Sequence, residues 1–381
     1  MSLDSKLKID RLFMKQALKL ASKGRFTTFP NPAVGCVIVR DGRVIGRGYH
    51  HKAGQPHAEI MALRDAKFEV KGATAYVTLE PCSHYGRTPP CAKTLSEAGI
   101  SRCVIACTDP NPKVSGRGIQ ILRAAGVEVS EHVLEKQAMY LNRAFMKAVS
   151  GPYPYVSVKV AMSTDAKSAL CDGQSKWITS DKSRSYVQKL RAQSDVIVTG
   201  SDTVIADNPR LNVRFNELPK KVLNAIGDTP FSQPLKVVLD SRGRLSPDAF
   251  PIFKEGNTIL VQASSKVNGN YTEQKYSDSL TILYLPKDGE HIDLKSLLKY
   301  LGDRSYRHCF IEAGATLSSA FIEQNLADEL FVFIAPKLLG YQGRQAFKTD
   351  SPKLLCDALK FKLHKLKKCG DDVLLHLLKE E

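Results

Sequence analysis

The sequence predicts two consecutive α/β domains. Three observations carry that expectation. Strand-like runs alternate with amphipathic helical runs through the first 150 residues, the run Ser150-Gly151-Pro152-Tyr153-Pro154 breaks the rhythm, and the rhythm then starts again. The boundaries expected are 1–150 and 151–381, which suits a 381-residue chain at ~100–200 residues per domain. With 43% hydrophobic and 25% charged residues, the chain is neither disordered, collagen-like nor a small disulfide scaffold.

In the first domain Leu7, Ile9, Leu12, Phe13, Ala17, Leu18 and Ala21 recur at helical spacing, and Gly24 ends that helix. Strands are expected over 34–39 and 44–49, joined through Asp41-Gly42, a strong hairpin signal. A helix over 59–67, a strand over 75–79, a helix over 91–98, a strand over 103–106, a helix over 119–125 and a strand over 127–129 complete an α/β sandwich. In the second domain strands are expected over 155–161, 196–199, 235–239, 259–262, 309–312, 330–334, 359–366 and 373–378. Helices are expected over 180–193 and 317–324, and the Lys-rich stretch 360–368 reads as a strand with one solvated face.

Lys and Arg outnumber Asp and Glu by 55 to 39, a formal charge of +16, of which +11 falls in residues 1–150. Such an excess suits an anionic partner: nucleic acid, a membrane surface or a phosphorylated metabolite. No stretch reaches the ~20 apolar residues of a membrane span, and residues 1–20 lack the apolar core of a secretion signal. Nine Cys are too sparse for a disulfide framework, so a reducing cytoplasm is the default and clustered Cys are first tested as metal ligands.

Residues 57–91 hold the strongest chemical signal. His57-Ala58-Glu59 opens a predicted helix, Pro81-Cys82 follows a predicted strand, and Cys91 opens the next helix. One imidazole and two thiolates suit Zn²⁺ with a water in the fourth place, and helix N-termini stabilise thiolate. Glu59, two residues after His57, is placed to move the proton of that water. The pattern is that of zinc-dependent base deaminases, in which an amino-bearing ring carbon is attacked and ammonia leaves. A closed structural zinc site is the alternative, with His84 as fourth ligand. Cys36, Cys103 and Cys107 read as core.

The spacing between the paired Cys is distinctive. Eight residues separate Cys82 from Cys91, where deaminases of free cytidine or nucleic acid generally have two. With Pro30-Asn31-Pro32-Ala33-Val34-Gly35, the segment from His50 to Glu59, and Asp109-Pro110-Asn111-Pro112 running into Ser115-Gly116-Arg117-Gly118, the chain resembles the bifunctional riboflavin-biosynthesis enzymes, which fuse a pyrimidine deaminase to a reductase. The resemblance implies a cytidine-deaminase-like α/β/α sandwich followed by a dihydrofolate-reductase-like α/β domain. It implies that the first domain removes the ring amine of 2,5-diamino-6-ribosylamino-4(3H)-pyrimidinone 5′-phosphate. By the same resemblance Asn31, Asp109 and Asn111 would hold the pyrimidine, with His50, Lys113 and Arg117 as basic candidates near the ligand. Turn formation is the plainer role for Asn31, Asp109 and Asn111.

The second domain lacks the Gly-x-Gly-x-x-Gly dinucleotide fingerprint. It resembles instead the reductase half of the same family, through Lys159-Val-Ala-Met-Ser163, Ser175-Lys-Trp177, Leu190-Arg191, Gly200 to Leu211, Arg214, Asp240-Ser241 and Ile311 to Leu317. The resemblance implies NADPH as cofactor and reduction of the ribosyl side chain to ribityl. Ser175, Arg191, Leu211, Arg214 and Glu312 would contact substrate, with the two Arg on phosphate. Ala161, Trp177, Thr203, Asp207, Ser241 and the turn Gly314, Ala315, Thr316, Leu317 would contact NADPH, with Lys159 and Asp207 as the reaction centre. Where relatives have Leu-Asp-Gly after Ser163, this chain has Thr164-Asp165-Ala166, and loss of the Gly puts that backbone turn in question. A homo-oligomer, dimer or tetramer, is expected, with a small ribose-phosphate pyrimidine as substrate and neither nucleic acid nor membrane as partner. A nucleic-acid base deaminase with an appended RNA-binding domain is the alternative; the basic charge permits it, while the Cys spacing and reductase motifs oppose it.

Overall fold

The computed structural model describes residues 3–85, 89–111, 115–265, 267 and 271–380. They form two compact units, Met1–Gly151 with Asn224–Ser232, and Pro152–Leu223 with Gln233–Glu381. The excursion of 224–232 into the first unit is absent from the linear sequence reading.

The first unit holds a five-stranded sheet in the order Arg43–Tyr49, Gly35–Arg40, Thr74–Val77, Arg102–Ile105, Glu128–Ser130. The first three strands are antiparallel neighbours and the last three run parallel. The hairpin turn is the one its sequence asks for, with Asp41 and Gly42 both at positive φ. Alternate side chains feed two cores. Cys36 and Ile38 pack against Ala62, Leu63, Leu95 and Leu122 on one face, while Val37 and Val39 pack against Phe13, Met14 and Ala17 on the other. Helices Ala58–Asp65, Cys91–Glu97 and Arg117–Ala124 therefore cover one face, and Leu3–Gly24 covers the other. Gly48 lets helix Ala58–Asp65 lie directly on the sheet: a Cβ there would sit 2.2 Å from the Ala58 carbonyl oxygen. Helices Glu135–Leu141 and Arg143–Ser150 are additions to the expected elements.

The second unit holds a ten-stranded sheet. Seven strands run parallel, in the order Leu280–Leu285, Thr258–Ala263, Leu235–Leu239, Val196–Gly200, His308–Ile311, Tyr155–Ser163, Glu329–Ala335. Antiparallel strands close both edges: Thr272–Lys275 at one, Asp372–Lys379 then Phe361–Cys369 at the other. Val158, Val198 and Val237 face one core with helix Leu294–Asp303, and Ile197, Val238 and Phe310 face the other with helix Asp181–Ala192. The sequence reading omits strands Thr272–Lys275 and Leu280–Leu285. It also omits helix Leu294–Asp303, although Leu294, Leu297, Leu298 and Leu301 recur at helical spacing.

Two expectations are corrected here. Residues 362–368 of the Lys-rich edge strand are exposed on both faces, Leu363 and Leu366 included, and helix Asp181–Ala192 reaches the strand near its end, where Lys367 lies over the Tyr186 ring. The turn after Ser163 survives the loss of glycine: Ala166 adopts φ +57° and its N–H still donates to the Ser163 carbonyl. Asp165 fixes that turn by accepting bonds from the Leu339 and Gly340 N–H groups.

Candidate active sites

His57 precedes helix Ala58–Asp65 and Cys91 opens helix Cys91–Glu97, so one ligand stands at the N-terminus of each. Cys82 lies in the loop between them, held by the Cys91 N–H, which donates to its Sγ at 3.2 Å. The His57 Nδ1 lies 3.6 Å from Cys82 Sγ and 3.3 Å from Cys91 Sγ, and all three donor atoms fall within 4.8 Å of one another. Zn–S of ~2.3 Å and Zn–N of ~2.0 Å at a tetrahedral angle place S and N about 3.5 Å apart, so the donor set fits zinc. Among the described residues the cluster has three ligands, and His84 is exposed and outside it. Three ligands leave a position open, the pattern of a catalytic site. Glu59 is buried, and burial followed by the neighbouring Cys82 lifts its carboxyl to about 7. Cys36, Cys103 and Cys107 are buried in the core as expected.

The remaining predicted residues of this unit behave differently from one another. Asn31 Nδ2 donates to His50 Nε2 at 3.1 Å, while His50 Nδ1 lies 3.2 Å from the Pro56 carbonyl oxygen. A carbonyl only accepts, so Nδ1 carries the proton and Nε2 is the acceptor. Burial pulls the imidazole down to about 4, which corrects His50 from a basic group to a neutral one that orients Asn31. Asp109 accepts from the Asn111 N–H at 2.9 Å, an Asx turn, and burial raises its carboxyl. Arg117 starts helix Arg117–Ala124 and is exposed, and Lys113 lies outside the described residues. The N–H groups of Gly116 and Gly118, which could have cradled a phosphate, donate instead to the Glu80 carboxylate at 3.0 and 2.9 Å.

In the second unit Lys159, Ala161, Ser175, Trp177, Arg191, Thr203, Asp207, Leu211, Arg214, Ser241, Glu312 and the turn Gly314, Ala315, Thr316, Leu317 all line one cavity of ≈ 1330 Å³. They converge because the cavity sits at the carboxyl ends of four adjacent parallel strands, 235–239, 196–200, 308–311 and 155–163, where open α/β sheets bind ligands. Single-ligand pockets are roughly 300–1,000 Å³, so there is room for two molecules. Helix Ala315–Glu323 starts at Gly314 without a side-chain cap, which leaves first-turn N–H groups for an anion such as a dinucleotide phosphate.

Arg191 lines the cavity as a buried guanidinium that is paired with Glu312. Its Nε and Nη2 donate to Glu312 at 2.8 and 2.9 Å, and Nη1 donates to the Asn212 carbonyl at 3.0 Å. Burial would raise the Glu312 carboxyl, but Arg191 pulls it down to about 2. Arg214 is half-exposed and paired with Glu217, so it can exchange that partner for a ligand. Trp177, the one Trp of the chain, is 61% exposed rather than core, with the Arg184 guanidinium 4.4 Å from its ring centroid. Asp207 lies 3.9 Å from the Lys176 ammonium.

Comparison with known proteins follows the same division. Residues 7–107 match the cytidine and deoxycytidylate deaminase zinc-binding region, and residues 154–375 match the RibD C-terminal domain. The chain belongs to the RibD family. The riboflavin biosynthesis protein RibD of Escherichia coli K12 is 43% identical over 369 residues, 97% of this chain and 99% of that protein. Among solved structures, RibD of Acinetobacter baumannii superposes with a TM-score of 0.86 at 43% identity, covering 98% of this chain and all of that one. A diaminohydroxyphosphoribosylaminopyrimidine deaminase/5-amino-6-(5-phosphoribosylamino)uracil reductase from Thermotoga maritima gives 0.84 at 33% identity over 98% of this chain. As a RibD-family protein the chain is a bifunctional enzyme of riboflavin biosynthesis, a zinc-type deaminase joined to a reductase. No helix among the described residues is long and apolar enough to cross a membrane.

Two residues of this RibD-family chain escape the sequence reading. Glu80 is buried beside the zinc-ligand loop, and its only sequence signal is an acid immediately before Pro81-Cys82. Arg184 is one of several basic residues on helix Asp181–Ala192, and nothing in its spacing marks it as the one over Trp177.

Proposed function

We propose that residues 1–150 deaminate 2,5-diamino-6-ribosylamino-4(3H)-pyrimidinone 5′-phosphate, and that residues 151–381 then reduce the ribosyl side chain with NADPH. The observation that carries the first half is the three-ligand cluster with buried Glu59 two residues from His57. Zinc, when bound by His57, Cys82 and Cys91, lowers the pKa of a coordinated water toward 7 and so supplies a nucleophile at neutral pH. Glu59 would hold a proton and move it between the attacking water, the ring nitrogen and the leaving amine. Asn31, oriented by His50, offers its carbonyl oxygen to the pyrimidine, and Asp109 and Asn111 line the other side.

For the second half, NADPH supplies the hydride. Thr203, Ser241, Trp177, Ala161 and the turn 314–317 hold the cofactor. Ser175, Leu211 and Arg214 hold the sugar phosphate. Glu312, fixed by Arg191, keeps lone pairs free to accept from ribose hydroxyls, and Lys159 and Asp207 hold and move protons where the ribose opens. The enzyme works in the cytoplasm as a homo-oligomer, dimer or tetramer, through its second unit. Support comes from an edge strand exposed on both faces and from Leu338, Tyr341, Leu355, Leu363 and Leu366 lying open to solvent in the single chain.

The test supplies the diaminopyrimidine phosphate to zinc-loaded protein with and without NADPH. Ammonia release alone without cofactor, and a ribitylamino product with it, is the expected pair of results; the absence of both would sink the proposal.

A further inference from the structure

We propose that Glu80 is a positioning residue of the deaminase, holding Asp109 and residues 116–119 in register with the zinc-ligand loop and thereby setting how tightly the pyrimidine binds. The inference rests on the reading that Asp109 and Asn111 line the substrate pocket. Glu80 is 4% exposed and stands two residues before Cys82. Each of its carboxylate oxygens accepts from two main-chain N–H groups. Oε1 takes Gly118 at 2.9 Å and Ile119 at 3.4 Å; Oε2 takes Gly116 at 3.0 Å and Asp109 at 3.3 Å. Four donors of one kind demand an anion that only accepts, and the positive end of helix Arg117–Ala124 favours it further.

Two consequences follow. At that helix N-terminus the Gly116 and Gly118 N–H groups are taken by the protein's own carboxylate and are not available to a substrate phosphate. And the backbone of Asp109 is anchored at Glu80, while the Asp109 carboxylate anchors the Asn111 N–H. A continuous chain of bonds therefore runs from the zinc loop to both pocket residues. Contact is tight as well as polar, since a Cβ on Gly118 would lie 2.0 Å from the Pro81 carbonyl oxygen. Glu80 touches neither a ligand of zinc through its side chain nor, by this reading, the substrate, so its loss acts on binding more than on the chemical step.

The experiment uses the full-length, zinc-loaded enzyme carrying Glu80→Gln, which turns an NH₂ toward two N–H donors. Zinc content, deaminase kcat and KM, and the reductase rate on deaminated substrate are measured together. The expected result is a KM raised about tenfold with kcat within about threefold of wild type, and with zinc and reductase activity unchanged. An unchanged KM, or loss of zinc with collapse of kcat, overturns the proposal. Gly118→Ala keeps Glu80 and every ligand but forces the same two segments apart, so it should give the same KM-selective defect, and it decides the matter if Glu80→Gln does not fold. Asn111→Ala separates the two ideas. If it leaves KM unchanged, the pocket reading fails; if it raises KM while Glu80→Gln and Gly118→Ala do not, Glu80 alone has been misassigned.

Discussion

The two sites of this chain are built in opposite ways. The deaminase site draws its metal ligands and proton carrier from residues 57–91, at the starts of two helices and one intervening loop. The reductase cavity draws its residues from 159 to 348, around the ends of four parallel strands that are neighbours in space but not in sequence. A metal compels the first design, since zinc needs particular donor atoms within a few ångströms. A reductase's organic ligands would permit the second, because many weak contacts over a long cleft suffice. The first site should therefore fail at one residue, and the second should degrade gradually.

The sharpest break of that comparison is Glu59→Ala. Deamination should fall about 10³-fold or more, in line with loss of a general acid–base, while reduction of supplied deaminated substrate stays at the wild-type rate. Substantial residual ammonia release would show the first site to be as distributed as the second.

Next in size is the buried pair of the second unit. Arg191→Met strands the Glu312 carboxylate, and a denaturant titration of that unit should show a loss of about 3–5 kcal/mol. The pair also gives a pH signature. The folded Glu312 value of about 2 lies below the unfolded value near ~4.3. Its stabilisation is therefore present in full above the unfolded value and is lost as pH falls toward 2. The wild-type Tm should fall across that window, and the contribution should vanish in Arg191→Met.

A middle-sized effect is expected at Trp177. NADPH should quench its fluorescence saturably, and because the chain has a single Trp the signal has one source. No change at saturating NADPH would remove Trp177 from the cofactor contacts without disturbing the rest of the cavity, as a distributed site allows.

The smallest effect concerns Ala166. A left-handed conformation costs an L-residue about 1–2 kcal/mol, partly offset by the greater chain entropy of glycine. Ala166→Gly should raise the Tm of the second unit by about 1–3 °C, measured by calorimetry, with reductase activity unchanged. A lower Tm would mean that the turn is held by Asp165 so firmly that φ carries no strain.

Much of the molecule is legible in one dimension. Asp41-Gly42 dictates its hairpin because both residues tolerate positive φ. Strand Gly35–Arg40 divides the two cores because its successive side chains point to opposite faces of the sheet. His57, Glu59, Cys82 and Cys91 are legible because metal chemistry restricts residue type and spacing at short range. The edge strand is misread because exposure depends on what covers it, and no pattern within 360–368 reports that.

By itself, then, the sequence determined the His57, Cys82 and Cys91 cluster with Glu59 beside it, the α/β character of both halves and the family. Only the tertiary structure decided that His50 is neutral, that Arg191 is committed to Glu312, that Glu80 fills a helix N-terminus, and that fifteen scattered residues line one cavity. The physical reason is common to all four. Ionisation and hydrogen-bond commitment are set by desolvation and by partners tens to hundreds of residues away, and those exist only once the sheets have assembled.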